Sequence, residues 1–441
     1  MTKNIRHEAY DIIVKVLKNN DFSDNLLQKK ANSLRHQGIE HIDFLYQLVK
    51  GTVKFKLHLD YVARQHTDAV KFEKTDLKIK VLLYLGLYQL LYMKSVPDHA
   101  AVNETVELAK SIFGEAIAGF VNSVLRSYQR KPEVTYPEDN IHRIAYEYSY
   151  PVELIEDWFR LWGGDKTELV AMFFNEPSRL HLRVNTFATN TDKLVHYFAK
   201  RNVACSLSQA SANMLICENP LAALEDVAFS EGYFTIQDAS AAMIVELMDP
   251  QPNESILDLF AAPGGKCTYI AEKLQNTGEV IAVDKSPAKM KLLKQAADRL
   301  QLTNIRMIVE DSLKYGPVAP AYHRVLVDAP CSGWGVMGRK ADLRWQQHQD
   351  IDELVKLQEK ALNYAASFVR KDGFLVYSTC TMNPRENEEQ VKKFLQKNPR
   401  FTLVRAENLI PTEFTEDHML KTIPYKHFMD GAFAAKLQRI G

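Results

Sequence analysis

The sequence predicts a multidomain chain: an all-α bundle at the N-terminus, a small α+β domain, and a doubly wound α/β domain at the C-terminus. Three observations carry this. Residues 1–131 repeat their apolar positions at helical spacing. From residue 236 onward, short apolar runs alternate with helical patterns, as in a doubly wound sheet. One stretch, 255–266, joins a strand, a glycine turn and a helix. Open α/β sheets hold nucleotide-like ligands on that arrangement, at their strand ends. A chain of 441 residues has room for roughly two to four such domains.

Taken in order, Ile5, Ala9, Ile12, Ile13, Val16 and Leu17 predict a first helix. Ile42, Leu45, Leu48, Val49 and Val53 predict another. Thr75 is the expected N-cap of the strongest, in which Leu77, Val81, Tyr84, Leu85, Tyr88 and Leu91 recur at i+3 and i+4. That helix is apolar on several faces, as the central helix of a bundle is. Two more are expected at Asp98–Phe113 and Glu115–Arg130, with Gly114 between them. The polar, proline-marked stretch after Lys131 reads as a linker, 132–144. The α+β domain spans 145–235. It holds a helix at 151–162 stopped by Gly163 and Gly164, an alternating strand at 180–185, a helix at 192–200 and a strand at 213–217. A strand at 232–237 and a helix at 238–248 lead into the last domain, 236–441.

Composition narrows the class. Hydrophobic content of 46% and charged content of 25% fit a soluble globular protein. The longest apolar stretch, 81–93, has 13 residues, whereas a membrane span needs about 20. The net charge of zero conceals an asymmetry: residues 1–131 hold 20 Lys and Arg against 14 Asp and Glu, leaving 35 against 41. A basic N-terminal segment suits nucleic acid, and a plain solvated surface fits as well. The cysteines are Cys205, Cys217, Cys267, Cys331 and Cys380. No pair has C-x-x-C spacing, so neither a disulfide framework nor a zinc site is expected. The first residues are not a signal peptide. The expectation is a cytoplasmic protein with no membrane segment and no metal.

The central stretch decides the ligand class. Ile256, Leu257 and Leu259 suit a buried parallel strand. Ala261 to Gly265 form a turn of small residues, and Lys266 opens a helical pattern. The G-x-G-x-x-G spacing of a dinucleotide site is absent. A P-loop fails too, because its first glycine would fall on Phe260 and its Ser/Thr on Cys267. A small-residue turn without a phosphate cradle suits a cofactor with little phosphate, such as S-adenosylmethionine. An ordinary strand–turn–helix also fits. Asp284 ends the next strand, 18 residues after Lys266, where an acid can hydrogen-bond ribose hydroxyls. Helix N-cap is its other reading.

Three further strands end at chemically loaded positions: one before Glu310 and Asp311, one at Asp328 before Cys331, one before Cys380. A parallel sheet brings these ends to one edge. A thiol there suits methyl transfer to a pyrimidine carbon. Cytosine C5 is a poor nucleophile until a thiolate adds to C6. An acid such as Asp328 can hold the cytosine amino group and N3. Each cysteine also fits a small buried apolar residue.

Two sets of motifs carry a resemblance. Pro97-Asp98-His99 through Asn103-Glu104, with Phe120-Val121-Asn122-Ser123-Val124-Leu125, resemble NusB, a small helical RNA-binding domain. Ala261-Ala262-Pro263-Gly264-Gly265-Lys266, Asp328-Ala329-Pro330-Cys331-Ser332-Gly333, Ser378-Thr379-Cys380 and Asn383-Pro384-Arg385-Glu386-Asn387-Glu388 resemble the Sun (Fmu, RsmB) family of RNA cytosine-5 methyltransferases. The resemblance implies a Rossmann-like class I methyltransferase domain, S-adenosylmethionine as cofactor and 16S ribosomal RNA of the small subunit as partner, with a monomer expected. It implies Cys380 as nucleophile and Cys331 as the group that assists release. It implies Phe260, Ala261, Ala262, Pro263, Gly264, Gly265, Lys266, Asp284, Asp311 and Asp328 as cofactor contacts, Asp328 also lying near the base. Trp334 stands where a small or hydroxyl residue is common, Arg385 where an acid is, and Cys267 replaces a frequent threonine.

Two rivals remain. A DNA cytosine-5 methyltransferase would attack with Cys331. The Thr379-Cys380 motif and the lack of an evident DNA-recognition domain argue against it. An antitermination or ribosome-assembly factor would keep the fold as a relic. Intact Cys380, Cys331 and Asp328 argue against that.

Overall fold

The computed structural model describes residues 5–37, 42–316, 319, 321–346 and 350–441. Residues 1–4 and 38–41 of the predicted helical segment lie outside the described residues. The chain divides into two compact units, Met1–Glu176 with Arg339–Gln347, and Pro177–Gly338 with His348–Gly441.

The first unit is helical. Helices Ile5–Asn19, Ile42–Lys54, Leu77–Tyr92, Asp98–Phe113 and Glu115–Arg130 form where the spacing predicts them. Leu77–Tyr92 is central, with Val81 to Leu87 and Gln89 all buried. Its cap is Asp76, which accepts from the Lys78 N–H at 2.8 Å. Thr75 instead donates its hydroxyl to the Lys71 carbonyl of the preceding turn. A carboxylate out-competes a hydroxyl at this position, because acceptance from a backbone N–H is then charge-assisted.

The helical unit continues through Asn140–Tyr148, Val152–Trp162 and Gly164–Asn175. Gly163, at φ +76°, ends the second of these. A distant segment completes the unit. Arg344 is buried under Tyr150, 3.8 Å from the ring centroid, and donates to the Ser149 carbonyl at 3.2 Å. The Trp345 indole N–H donates to the Val53 carbonyl at 2.6 Å. Nothing in the local pattern of 339–347 foretells this, since its partners lie hundreds of residues away.

The second unit has two sheets. Strands β1 (Leu180–Val184), β2 (Cys205–Leu207), β3 (Met214–Cys217) and β4 (Phe234–Ile236) form an antiparallel sheet in the order β2-β3-β1-β4. Strands β5 (Ser255–Leu259), β6 (Glu279–Asp284), β7 (Ile305–Val309), β8 (Tyr322–Asp328) and β9 (Val369–Thr379) run parallel in the order β7-β6-β5-β8-β9. Strands β10 (Phe401–Val404), β11 (Thr415–Glu416), β12 (Met419–Lys421) and β13 (Phe433–Arg439) extend this sheet antiparallel, β13 pairing with β9. The doubly wound expectation therefore holds for five strands, and the whole sheet is mixed.

Along β5 the side chains alternate between two buried cores. Ile256 belongs to one, with helices Ala239–Met248 and Gly265–Lys273; Leu257 and Leu259 belong to the other, with helix Ile351–Ala366. The chain leaves β5 toward β6 on one side and returns through β8 on the other. Ligands bind at such a switch point, outside the carboxyl ends of the strands.

Two adjacent glycines of the turn after β5 face different constraints. Gly264 has φ +109°, and a Cβ there would lie 2.4 Å from Leu293 Cδ1. A Cβ on Gly265 would meet only Gln237 Nε2 at 3.5 Å. Backbone strain plus overpacking should make Gly264→Ala less stable by about 2–5 kcal/mol. Gly265→Ala should cost about 1 kcal/mol or less. Denaturant titration of both variants checks this, and equal losses would contradict it.

Candidate active site

The carboxyl ends of β5, β6, β7, β8 and β9 share one edge, and the glycine turn is built there from backbone outward. Phe260 takes φ +70° to leave β5. The Ala261 N–H donates to the Val283 carbonyl at 3.0 Å. The Ala262 N–H donates to the Asp284 carboxylate at 3.2 Å, and the Ser286 N–H donates to its other oxygen at 2.8 Å. Asp284 thus braces the turn from the end of β6. It is not the cap of helix Pro287–Arg299, a role taken by Ser286, whose hydroxyl accepts from the Lys289 N–H. A carboxylate has about four acceptor sites, so two remain for a ligand. Pro263 and Gly265 are exposed at the crest of the turn. Asp311 lies beyond β7, about half exposed; it accepts from the Leu313 N–H at 3.1 Å and lies 3.9 Å from Lys314 Nζ.

The other residues meet at the ends of β8 and β9. Lys266 Nζ donates to one Asp328 oxygen at 2.7 Å, and the Ser378 hydroxyl donates to the other at 2.8 Å. Cys331 Sγ and Cys380 Sγ are 3.2 Å apart. The Cys380 N–H also points at Cys331 Sγ, at 3.3 Å. Lys266 therefore ties the glycine turn to Asp328, and Cys380 acts on it electrostatically. Cys267 is fully buried, and Cys205 and Cys217 face each other across β2 and β3, so none of these three joins the edge.

Cys331 is pushed well above the usual thiol range, first by its hydrogen bond with Cys380 and then by burial. It therefore keeps its proton at neutral pH. Burial pulls Lys266 down, but Asp328 first and then Cys380 outweigh it, and its pKa is raised. A charged lysine thus faces both Asp328 and Cys380.

Sequence reasoning missed two groups. Asp258 sits inside β5 with 1% exposure, and neither carboxyl oxygen has a hydrogen-bond partner among the described residues. Burial first, then repulsion from Asp328 and Asp284, raises it well above the carboxylate range. The signal was an acid inside an otherwise apolar strand, directly below the glycine turn. Arg183 of β1 is the second. Its buried guanidinium donates to the Gly265 carbonyl at 2.7 Å, to Thr268 Oγ1 at 3.1 Å and to Glu272 at 2.6 Å. No spacing rule could have found it, because its partners lie more than 80 positions away. Of the unusual residues, Trp334 is buried and Arg385 pairs with Asp352 at the surface.

Among the described residues, no group of three or more His, Cys, Asp and Glu is arranged to hold a metal. No helix of the described residues is long and apolar enough to cross a membrane.

Comparisons with known proteins bear on family and fold. Residues 245–438 match the family described as 16S rRNA methyltransferase RsmB/F, and residues 3–130 match the NusB family. The chain is 34% identical over 450 residues to the probable ribosomal RNA small subunit methyltransferase B of Bacillus subtilis (strain 168), covering 99% of both chains. It is 35% identical over 405 residues to a protein of the same name from Synechocystis, covering 90% of this chain and 91% of that one. A methyltransferase homologue from Pyrococcus horikoshii shares the fold, with 24% identity, a TM-score of 0.59 and coverage of 69% of this chain and 100% of that one.

The state of Asp258 gives a test by pH. Its folded pKa lies above the unfolded value, near about 3.9. Below both values it costs nothing. As pH rises past about 4, the unfolded chain releases the proton while the folded chain keeps it, so stability falls. Asp258→Asn removes that loss. It should raise the melting temperature of the ligand-free protein at pH 7, with the gain shrinking toward pH 4.5. Calorimetry at both pH values decides, and a gain independent of pH would exclude a protonated Asp258.

Proposed function

Since the chain belongs to the ribosomal RNA small subunit methyltransferase B family, we propose that it methylates C5 of a cytosine in 16S ribosomal RNA with S-adenosylmethionine as cofactor. The observation that carries this reading is the thiol pair, 3.2 Å apart, at the ends of the strands on which Lys266 ties Asp328 to the glycine turn. Residues 1–131 serve as the RNA-binding domain and 236–441 hold the methyltransferase chemistry. The protein works as a cytoplasmic monomer.

The residues present fit the cofactor. Asp258 offers an unpartnered buried carboxyl below the turn, and Gly265 leaves its crest open. Phe260 to Lys266, Asp284, Asp311 and Asp328 would hold it. S-adenosylmethionine, when bound, supplies an electrophilic methyl group on its sulfonium.

The protein's own residues supply the rest. The Cys380 thiolate adds to C6 of the cytosine, which gives C5 enamine character. Asp328, steadied by Lys266 and Ser378, accepts from the amino group with its remaining acceptor sites, and from N3 once addition at C6 has brought a proton there. Lys266 stays charged and balances the negative charge around it. Once C5 carries the methyl group, a water molecule takes its proton, the C5–H electrons restore the C5–C6 double bond, and the Cys380 sulfur leaves C6 as a thiolate, assisted by Cys331. The assignment of attack to Cys380 follows the family resemblance of the Thr379-Cys380 motif.

Incubation of total RNA with labelled S-adenosylmethionine, followed by mapping, tests the function. Label should appear on C5 of a 16S cytosine; label on another RNA or atom would overturn the reading.

Two variants test the roles. Cys331→Ala should attack and methylate but release slowly, leaving protein attached to RNA as a slow band on a denaturing gel. Cys380→Ala and the double variant should show no band. The opposite pattern would reassign attack to Cys331. Asp284→Ala should weaken S-adenosylmethionine binding roughly 10- to 100-fold, since charged hydrogen bonds are lost. Unchanged affinity by calorimetry would leave Asp284 as a brace of the turn only.

A further inference from the structure

Both residues flanking Cys331 are tied to one buried carboxylate. Glu386 lies six residues past Cys380, in the short turn Pro384–Glu386, with 0% exposure. One of its oxygens accepts from the Ser332 N–H at 2.9 Å and from Gln358 Nε2 at 3.0 Å. The other accepts from the Ser332 hydroxyl at 2.6 Å. Gln358 Nε2 also donates to the Pro330 carbonyl at 2.9 Å. Ser332 gives its single proton to Glu386, so the Thr381 hydroxyl donates to Ser332 Oγ, at 2.7 Å. Thr381 directly follows Cys380. Tyr377 fixes the carboxylate's own backbone, donating to the Glu386 carbonyl at 2.6 Å.

We propose that Glu386 is a positioning residue: its carboxylate clamps the Cys331 loop onto the segment after Cys380 and sets the distance between the two thiols. Its catalytic meaning rests on the reading above, in which Cys331 assists release. The clamp itself rests on geometry alone. The three donors are neutral, so a buried carboxylate is satisfied here only while both loops keep their register. Hydrogen bonds to a charged acceptor are strong and directional, and leaving such an acceptor unmatched is costly. The thiols sit on different loops, and Glu386 is the buried carboxylate that ties the Cys331 loop to the segment after Cys380, alongside the direct Thr381–Ser332 bond. The residue lay inside a quoted motif, yet the sequence assigned it no task.

The test separates the clamp from the reading. In the full-length protein, diamide oxidises Cys331 and Cys380 to a disulfide at a rate that depends on their separation, followed by peptide mass spectrometry. Glu386→Ala should slow this cross-link about tenfold or more, the scale of losing charged hydrogen bonds. Glu386→Gln should restore most of the rate. Ser332→Ala should slow it less, and it carries the test if Glu386→Ala fails to fold by calorimetry. Wild-type cross-linking in both Glu386→Ala and Ser332→Ala would overturn the clamp. Catalysis is read on the denaturing gel. Glu386→Ala should accumulate covalent RNA adduct, at a lower level than Cys331→Ala. Adduct in Cys331→Ala but none in Glu386→Ala would overturn the catalytic role of the clamp. No adduct in Cys331→Ala would instead refute the reading, while the cross-linking rates still decide the clamp.

Discussion

A guanidinium with no exposed side-chain surface joins the small antiparallel sheet to the helix behind the glycine turn. Arg183 comes from β1, and Glu272 and Gly265 from helix Gly265–Lys273, with both charged side chains at 0% exposure. Taking two charges out of water is expensive, and losing one partner of such a pair costs about 3–5 kcal/mol. The Arg183 ring contact with Tyr269, at 4.6 Å, adds a further constraint on its orientation. The helix therefore has one permitted place against the small sheet. Its first residue is Gly265, on the crest of the turn, so the buried pair also fixes where a ligand would meet the backbone. The small sheet is thus part of the site's foundation, although none of its residues reaches the reacting edge.

Around that turn the charges are deliberately unequal. Asp328 and Asp284 add to burial in raising the cost of ionising Asp258, and Lys266 is a cation that opposes them. Its ammonium goes to Asp328, the acid with 32% side-chain exposure, whereas Asp258 is sealed in β5. Buried acids without a cation keep their protons, because desolvation penalises the charged form. One edge therefore offers both an acid held by lysine and serine and a neutral acid below the turn. Cys331, buried and hydrogen-bonded to its neighbour, is kept as a thiol.

The fold was legible wherever a short-range pattern carried it. Helical spacing marked Leu77–Tyr92, and apolar runs marked β5, β6 and β8. The cap of Leu77–Tyr92 was misread, since Thr75 and Asp76 are adjacent and spacing cannot rank two cap formers. The antiparallel half of the large sheet was not legible. Strand direction depends on which neighbour a strand finds, and β13 pairs with β9 across more than 50 residues. The membership of 339–347 in the helical unit was hidden for the same reason: Arg344 is held by carbonyls, which carry no sequence signature.

The sequence by itself determined the chemistry on offer. Small residues from Ala261 to Gly265 permit close approach, Asp328 and the two thiols follow apolar strands, and parallel strands must end on one edge. These are local facts, written in residue type and order. Tertiary structure decided which groups touch. It set Cys331 against Cys380 at 3.2 Å, gave Lys266 to Asp328, left Asp258 unpartnered and placed Glu386 between two loops. Each depends on distances across 49 to 62 positions of chain or on exclusion of water. Protonation follows from those distances and that burial, so the charge of Asp258 and Cys331 could be known only after the chain had folded.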